Sequence, residues 1–368
     1  MTKLDALYLE HGQSPWIDNI RRDWLRDGTL ASMIDRGVRG VTSNPSIFAK
    51  ALATSDLYDA AIATSGESDP ETLFEQLAIA DVQEACELLG DVHRASQREF
   101  SSGVHRYCDG FVSLEVSPRL AYDSAATVAA ATRLAQQVSR DNLLVKIPAT
   151  AEGITAIRET LARGVSVNVT LIFSLERYRE VMDAYLDGLR DARGAGRDIS
   201  SISSVASFFV SRVDTAADPI LTATPHLLGR SANAQVAAAY QLYLDRFAQA
   251  DALDLLSDGA QVQRPLWAST STKNPTYDDL LYVDALVAPE TVNTMPEATL
   301  ETFAARDSFA RETIADETTR KAMIAEFDEV GAALDVEQLT AKLESDGVSA
   351  FQNSYRELLD TVGAKIRA

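Results

Sequence analysis

Short apolar runs alternate along this chain with longer stretches in which apolar residues recur at three- and four-residue intervals. The first pattern reads as buried strand and the second as amphipathic helix. Strands are predicted over residues 15–17, 38–42, 111–116, 143–147, 165–171, 205–210, 265–268 and 282–287, eight in all. The first rests on spacing more than on pattern, because it is short and holds Pro15. Helices are predicted over 72–89, 124–138, 151–161, 175–193 and 232–249, with Asp123 or Ser124 a good N-cap for the second. The interval from Ser46 to Arg106 is long enough for several helices and reads as an insertion. Strands separated by helices pair in parallel through right-handed crossovers. Eight of them suggest an α/β fold of the closed (β/α)8 TIM-barrel type with additional helices. A doubly wound open sheet is the alternative, but no Gly-x-Gly-x-x-Gly follows an early strand.

From about residue 296 onward the pattern is wholly helical, over 298–305, 321–334, 336–343 and 348–366, with acidic outer faces. We read residues 1–368 as a single barrel domain, with this tail packed on it as a C-terminal helical extension. A hydrophobic content of 46% with 24% charged residues is that of an ordinary globular protein. Charge alters the picture more, because 34 Lys+Arg stand against 54 Asp+Glu, for a net charge of -20. Such a surface repels nucleic acid and anionic membranes, so neither is expected as a partner. It also opposes an anionic substrate at long range, so any phosphate site must carry its own cations. There is no apolar leader segment and no run of about 18 apolar residues, which makes the cytoplasm the default location. Two cysteines, Cys86 and Cys108, are too few for a disulfide framework, and the four histidines lack metal-ligand spacing.

One polar residue then stands out. Lys146 lies inside Leu143-Leu144-Val145-Lys146-Ile147-Pro148, an apolar run that reads as a buried strand. Burying an ammonium is costly, which favours the neutral, nucleophilic amine that attacks carbonyl carbon. The plainer alternative is a lysine snorkelling to solvent from the strand end. In a barrel, polar residues at the carboxyl ends of strands line the site. Taken in order those ends carry Asp18, then Thr42-Ser43-Asn44-Pro45-Ser46, Glu115, Lys146, Asn168 with Thr170, Ser207 with Arg212 just beyond, and Ser269 leading to Lys273. Each has a structural reading too. Asp18 suits an N-cap for a helix near Ile20, Thr-Ser-Asn-Pro-Ser is turn chemistry, and Arg212 has Asp214 and Asp218 within reach. Glu115 is harder to explain that way, since a carboxylate between apolar strand residues needs a partner.

Four segments carry a family resemblance. Gly40-Val41-Thr42-Ser43-Asn44-Pro45-Ser46-Ile47-Phe48 and Leu144-Val145-Lys146-Ile147-Pro148-Ala149-Thr150-Ala151-Glu152-Gly153 resemble the two signature segments of the transaldolase family. Ser113-Leu114-Glu115-Val116-Ser117-Pro118-Arg119-Leu120 is similar to its glutamate strand, and Val167-Asn168-Val169-Thr170-Leu171-Ile172-Phe173-Ser174 to the strand after the lysine. The similarity runs in the family's order from about Pro15 to Pro289, and the helical tail suits its longer bacterial members.

The resemblance implies a (β/α)8 barrel that moves a dihydroxyacetone unit between sugar phosphates in the pentose phosphate pathway, with neither cofactor nor metal. Sedoheptulose 7-phosphate and glyceraldehyde 3-phosphate would give erythrose 4-phosphate and fructose 6-phosphate. It implies Lys146 as the Schiff-base nucleophile, Asp18 as the base at the C4 hydroxyl, and Glu115 acting through a water that Thr170 helps to hold. Thr42, Asn44 and Asn168 would bind the dihydroxyacetone part, and Ser207, Arg212 and Lys273 the phosphate. Lys273 stands where many members place an arginine, which exchanges a bidentate fork for a point charge. The Trp16-Ile17-Asp18-Asn19 segment matches less closely than the rest, and Phe208-Phe209 replaces a frequent proline-phenylalanine. The nearest alternative is a fructose-6-phosphate aldolase on the same scaffold. Against it, Glu115 and Phe209 stand where the resemblance places a glutamine and a tyrosine in those aldolases. A non-catalytic barrel is a further alternative, and monomer and homodimer are both open.

Overall fold

The computed structural model describes residues 1–306, 308–309 and 312–367. Its centre is a seven-stranded parallel sheet: β1 Gln13–Ile17, β2 Val112–Glu115, β3 Leu143–Pro148, β4 Val167–Ile172, β5 Ser204–Phe209, β6 Arg264–Ala268 and β7 Thr291–Met295. The spatial order is β1-β7-β6-β5-β4-β3-β2, so the first two strands in sequence lie at opposite edges. Between them runs the segment predicted as a strand over 38–42. It pairs as isolated parallel bridges at Val41, to Ile17 on one side and to Val112 on the other. Ile17 donates its N–H to the Gly40 carbonyl and Thr42 to Ile17, while Val41 donates to Phe111 and Ser113 to Val41. Gly40 is required there, since a Cβ would lie 2.4 Å from the Trp16 indole.

The predicted strand over 282–287 is a correction. Leu281–Asp284 is a short helix, and the last strand is Thr291–Met295. The apolar run Tyr282, Val283, Leu286, Val287 is buried without joining the sheet. The true strand reads as polar in sequence, yet it is buried, because partners elsewhere in the fold meet its side chains. Thr291 Oγ1 donates to the Ala288 carbonyl, and Asn293 Oδ1 accepts from Thr270. The tail holds a second difference. Helices predicted over 336–343 and 348–366 are one helix, Val336–Ile366. Gly347 does not break it. A Cβ there would lie 3.1 Å from Leu171 and 3.4 Å from Phe173, so the glycine lets the helix pack closely against β4 and the residue after it. Elsewhere propensity and capping suffice: the helix Ser124–Val138 starts where Asp123 accepts from the Ala126 N–H. The insertion holds the helices Pro45–Thr54, Asp59–Ser65, Pro70–Leu88 and Gly90–Ser101.

Strand alternation sorts the interior into layers. Ser14, Asp109 and Arg264 meet at the amino-terminal end. Trp16, Leu144, Val205, Leu266 and Val292 form an apolar middle. The polar residues at the carboxyl ends lie above it. Val348 and Phe351 of the C-terminal helix pack onto the same apolar cluster. No helix among the described residues is long and apolar enough to cross a membrane.

Candidate active site

Above the apolar layer a cavity of about 120 Å³ is lined by Asp18, Thr42, Asn44, Lys146, Thr170, Ser207, Arg212 and Lys273. Eight of the ten predicted residues therefore face one space. Glu115 and Asn168 stand just behind its wall, each touching a residue that lines it.

Lys146 is 5% exposed, which rules out snorkelling. Its Nζ donates to the Ser43 carbonyl at 3.1 Å and lies 3.7 Å from Glu115 Oε2. The second distance is an ionic contact, too long for a hydrogen bond. The pair exists because Glu115 and Lys146 are register partners on adjacent strands and both point inward. Burial pushes the Glu115 carboxyl up to about 7 against the opposing pull of Lys146. Glu115 Oε2 and Thr170 Oγ1 are buried with no hydrogen-bond partner among the described residues. Next to Thr170, β4 bulges, and Leu171 takes φ 61°, a left-handed conformation that costs about 1–3 kcal/mol in a non-glycine residue.

Asp18 does not cap a helix. The helix Arg22–Arg26 begins after Arg21 with no side-chain cap, and Asp18 Oδ1 instead accepts from Thr42 Oγ1 at 2.7 Å. Burial raises the Asp18 carboxyl, while Lys146, Thr42 and Lys273 work in the other direction. Thr42 Oγ1 also lies 2.7 Å from Thr294 Oγ1 of β7, a contact the misplaced last strand concealed. Asn44 both lines the cavity and caps the helix Pro45–Thr54, accepting from the Ile47 N–H. Its turn chemistry and its position in the site are thus compatible. Asn168 is held at both ends, donating to Ser113 Oγ at 2.9 Å and accepting from Ser207 Oγ at 2.7 Å.

Arg212 does not pair with either nearby aspartate. Asp214 accepts from the Ala232 N–H and Tyr282 Oη, and Asp218 from the Gly229 N–H and Tyr277 Oη. Burial lowers the pKa of Arg212. Burial, then the Arg212 charge, lowers that of Lys273, whose Nζ donates to Ser271 Oγ at 2.6 Å. Neither cation forms an ion pair with a carboxylate among the described residues, so both charges remain available to an anion. Among the lining residues that the sequence reading did not single out is Phe351, from the C-terminal helix. The Phe351 ring centroid lies 5.8 Å from Lys146 Nζ. The available signal was Gly347 and Phe351 one turn apart, a close-packing position followed by an aromatic on the same helix face.

Residues 15–362 match the family model described as Transaldolase/Fructose-6-phosphate aldolase. The chain belongs to that family. The match to the transaldolase/fructose-6-phosphate aldolase family runs through the helical tail as well as the barrel. A transaldolase of Saccharopolyspora erythraea is 47% identical over 98% of this chain and 97% of its own. That of Mycolicibacterium smegmatis is 46% identical over 97% of this chain and 96% of its own. That of Mycobacterium tuberculosis is 46% identical over 96% and 95%.

Proposed function

We propose that this protein is a transaldolase, transferring a dihydroxyacetone unit between sugar phosphates through an imine on Lys146. The observation that carries the reading is a buried lysine amine 3.7 Å from a carboxyl poised near pH 7, in a cavity whose rim holds two unpaired cations. Relatives named transaldolase at 46–47% identity support it over nearly the whole chain.

The Lys146 amine attacks the ketose carbonyl carbon, and the resulting carbinolamine loses its hydroxyl as water. Glu115 suits that step, because a carboxyl titrating near 7 can give and take a proton at neutral pH. Thr170 Oγ1, buried without a partner among the described residues, suits a water relaying the proton. Asp18 takes the C4 hydroxyl proton, and its raised pKa makes it a stronger base than an exposed aspartate. The C3–C4 bond breaks, its electrons pass into the protonated imine, and an enamine remains while the shorter aldehyde leaves. An acceptor aldehyde then reverses the sequence. Thr42, Asn44 and Asn168 position the three-carbon unit, with Asn168 itself oriented by Ser113 and Ser207. Arg212, Lys273 and Ser207 hold the phosphate and so place the reacting carbons by binding energy at a distance. The imine supplies the electron sink, so this route requires neither metal nor organic cofactor. We place it in the cytoplasm, on a (β/α)8 barrel in which the 38–42 segment takes the eighth strand position and the helical tail belongs to the same domain.

Phe209 lines the cavity with a ring that has no proton to give an enamine, which favours transfer over aldol release. The test is borohydride trapping with fructose 6-phosphate, followed by peptide mass spectrometry. A reduced three-carbon adduct on Lys146, lost when erythrose 4-phosphate is added, is the expected result. Active protein with no adduct on any lysine would remove the imine reading.

A further inference from the structure

Two cavities meet at the mouth of the barrel. The inner one holds Lys146, and an outer one of about 540 Å³ opens between the barrel rim and the helix Pro45–Thr54. They share Asp18, Asn44, Arg212, Pro296 and Phe351. Of these, only Phe351 comes from the C-terminal helix Val336–Ile366, and it is the one large apolar side chain. It is 6% exposed, packs with Leu171, Phe173 and Phe209, and lies with its ring centroid 5.8 Å from Lys146 Nζ.

The helix is fastened across the mouth at several points. Gly347 seats against Leu171 and Phe173, with the Arg212 guanidinium 3.6 Å from where its Cβ would be. Gln352 Nε2 donates to the Pro118 carbonyl, Ser46 Oγ to Ser354 Oγ, and Tyr355 Oη to Glu71. The helix that carries the ring cannot move aside without breaking these contacts. An aromatic face within about 6 Å of a cation also stabilises it, and the iminium formed on Lys146 is a cation at that position.

We propose that Phe351 decides the fate of the enamine by keeping water from it, and so sets the ratio of transfer to hydrolytic release. This rests on the imine reading above. In transfer, the enamine carbon bonds to the acceptor's carbonyl carbon, whose oxygen takes a proton, and the new imine is then hydrolysed. In release, that carbon takes a proton from water. The hydroxide left behind adds to the iminium carbon, the C–N bond breaks as the carbonyl forms, and free dihydroxyacetone departs with the proton returned to the Lys146 amine. Both routes begin from one intermediate, so their ratio reports the enamine's surroundings and not the efficiency of cleavage. Phe351 is a positioning residue in this account, because it supplies no proton and no bond.

The experiment measures free dihydroxyacetone against transfer product, with fructose 6-phosphate as donor and erythrose 4-phosphate as acceptor, in wild type, Phe351→Ala and Phe351→Leu. Phe351→Ala joins the two cavities and should raise the release-to-transfer ratio about tenfold or more, as exclusion of water from a reactive intermediate predicts. Phe351→Leu keeps the bulk and should bring the ratio back to within about threefold of wild type. Borohydride trapping on Lys146 is run on each protein. A wild type that is active but traps no adduct defeats the imine reading itself. Adducts in all three proteins with an unchanged ratio in Phe351→Ala defeat only the role of Phe351. Equal loss of both products in Phe351→Ala would also overturn it, by showing a purely structural part. Should that variant fail to fold, a release-to-transfer ratio in Phe351→Leu more than about tenfold above wild type would overturn it.

Discussion

Asp109 and Glu115 lie six residues apart in sequence, both are buried beside cations, and they behave in opposite ways. Burial alone would raise the Asp109 carboxyl, but Arg264, Arg39, Ser14 and Trp16 together outweigh it and hold it below the usual carboxylate range. Arg39 Nε is 3.0 Å from its carboxylate, Arg264 is 3.5 Å away, and Trp16 Nε1 donates at 2.9 Å. Glu115 has one cation at 3.7 Å and an oxygen with no donor among the described residues, and its pKa rises. A fully bonded buried charge is a structural fastener, while an under-bonded one is available for proton transfer. The amino-terminal end of the interior is therefore read as support and the carboxyl-terminal end as chemistry.

The sharpest break of that comparison is Lys146→Ala. Turnover should fall at least about a thousandfold, because the covalent route is lost, while the thermal midpoint stays at or above wild type. Turnover near wild type would end the assignment. Asp109→Ala should do the reverse, costing about 3–5 kcal/mol of stability by leaving Arg264 buried and uncompensated. Urea denaturation measures it, and the folded fraction should retain its kcat. Arg212→Ala comes next. It should raise the KM for fructose 6-phosphate by about 2 kcal/mol, or some thirtyfold, the worth of hydrogen bonds to a charged group. Affinity for unphosphorylated dihydroxyacetone should change little.

The last test separates the two carboxylates by pH. The folded state holds the Glu115 proton up to about 7 against an ordinary 4.5, so its ionisation opposes folding. That opposition grows as pH rises through this window. Glu115→Gln should thus be more stable than wild type at pH 8 by about 1–3 kcal/mol and equal to it near pH 4. Asp109 runs the other way: its contribution is present above the ordinary carboxylate pKa and is lost as pH falls. Chemical denaturation across pH checks both signs in one series.

Much of this was legible in the chain because local and global signals agreed. The helix at Ser124–Val138 carries its own cap, and Lys146 interrupts an apolar run that no surface strand would need. The site residues followed from strand ends, since period-two alternation puts Asn168 and Thr170 on one side. Where sequence reasoning failed, the polar groups were satisfied by neighbours distant in sequence. Thr291 and Asn293 disguise a core strand because Gln13 and Thr270 meet them, and the apolar run before it is buried as a short helix and the turn after it. Phe351 was missed because a packed glycine and a helix-breaking glycine look alike in one dimension. Gly347 faces Leu171 and Phe173, which is knowledge only the fold supplies.

The unpaired cations at the cavity rim have a consequence for how substrate arrives. A net charge of -20 repels a sugar phosphate at long range, and Arg212 and Lys273 attract it close in. Added salt shortens the reach of both fields, to about 10 Å at 0.1 M, but the distant repulsion is lost first. Moderate ionic strength should therefore speed capture of the anion, and only high concentrations of competing anions should slow it. Most enzymes that steer charged substrates show the opposite dependence.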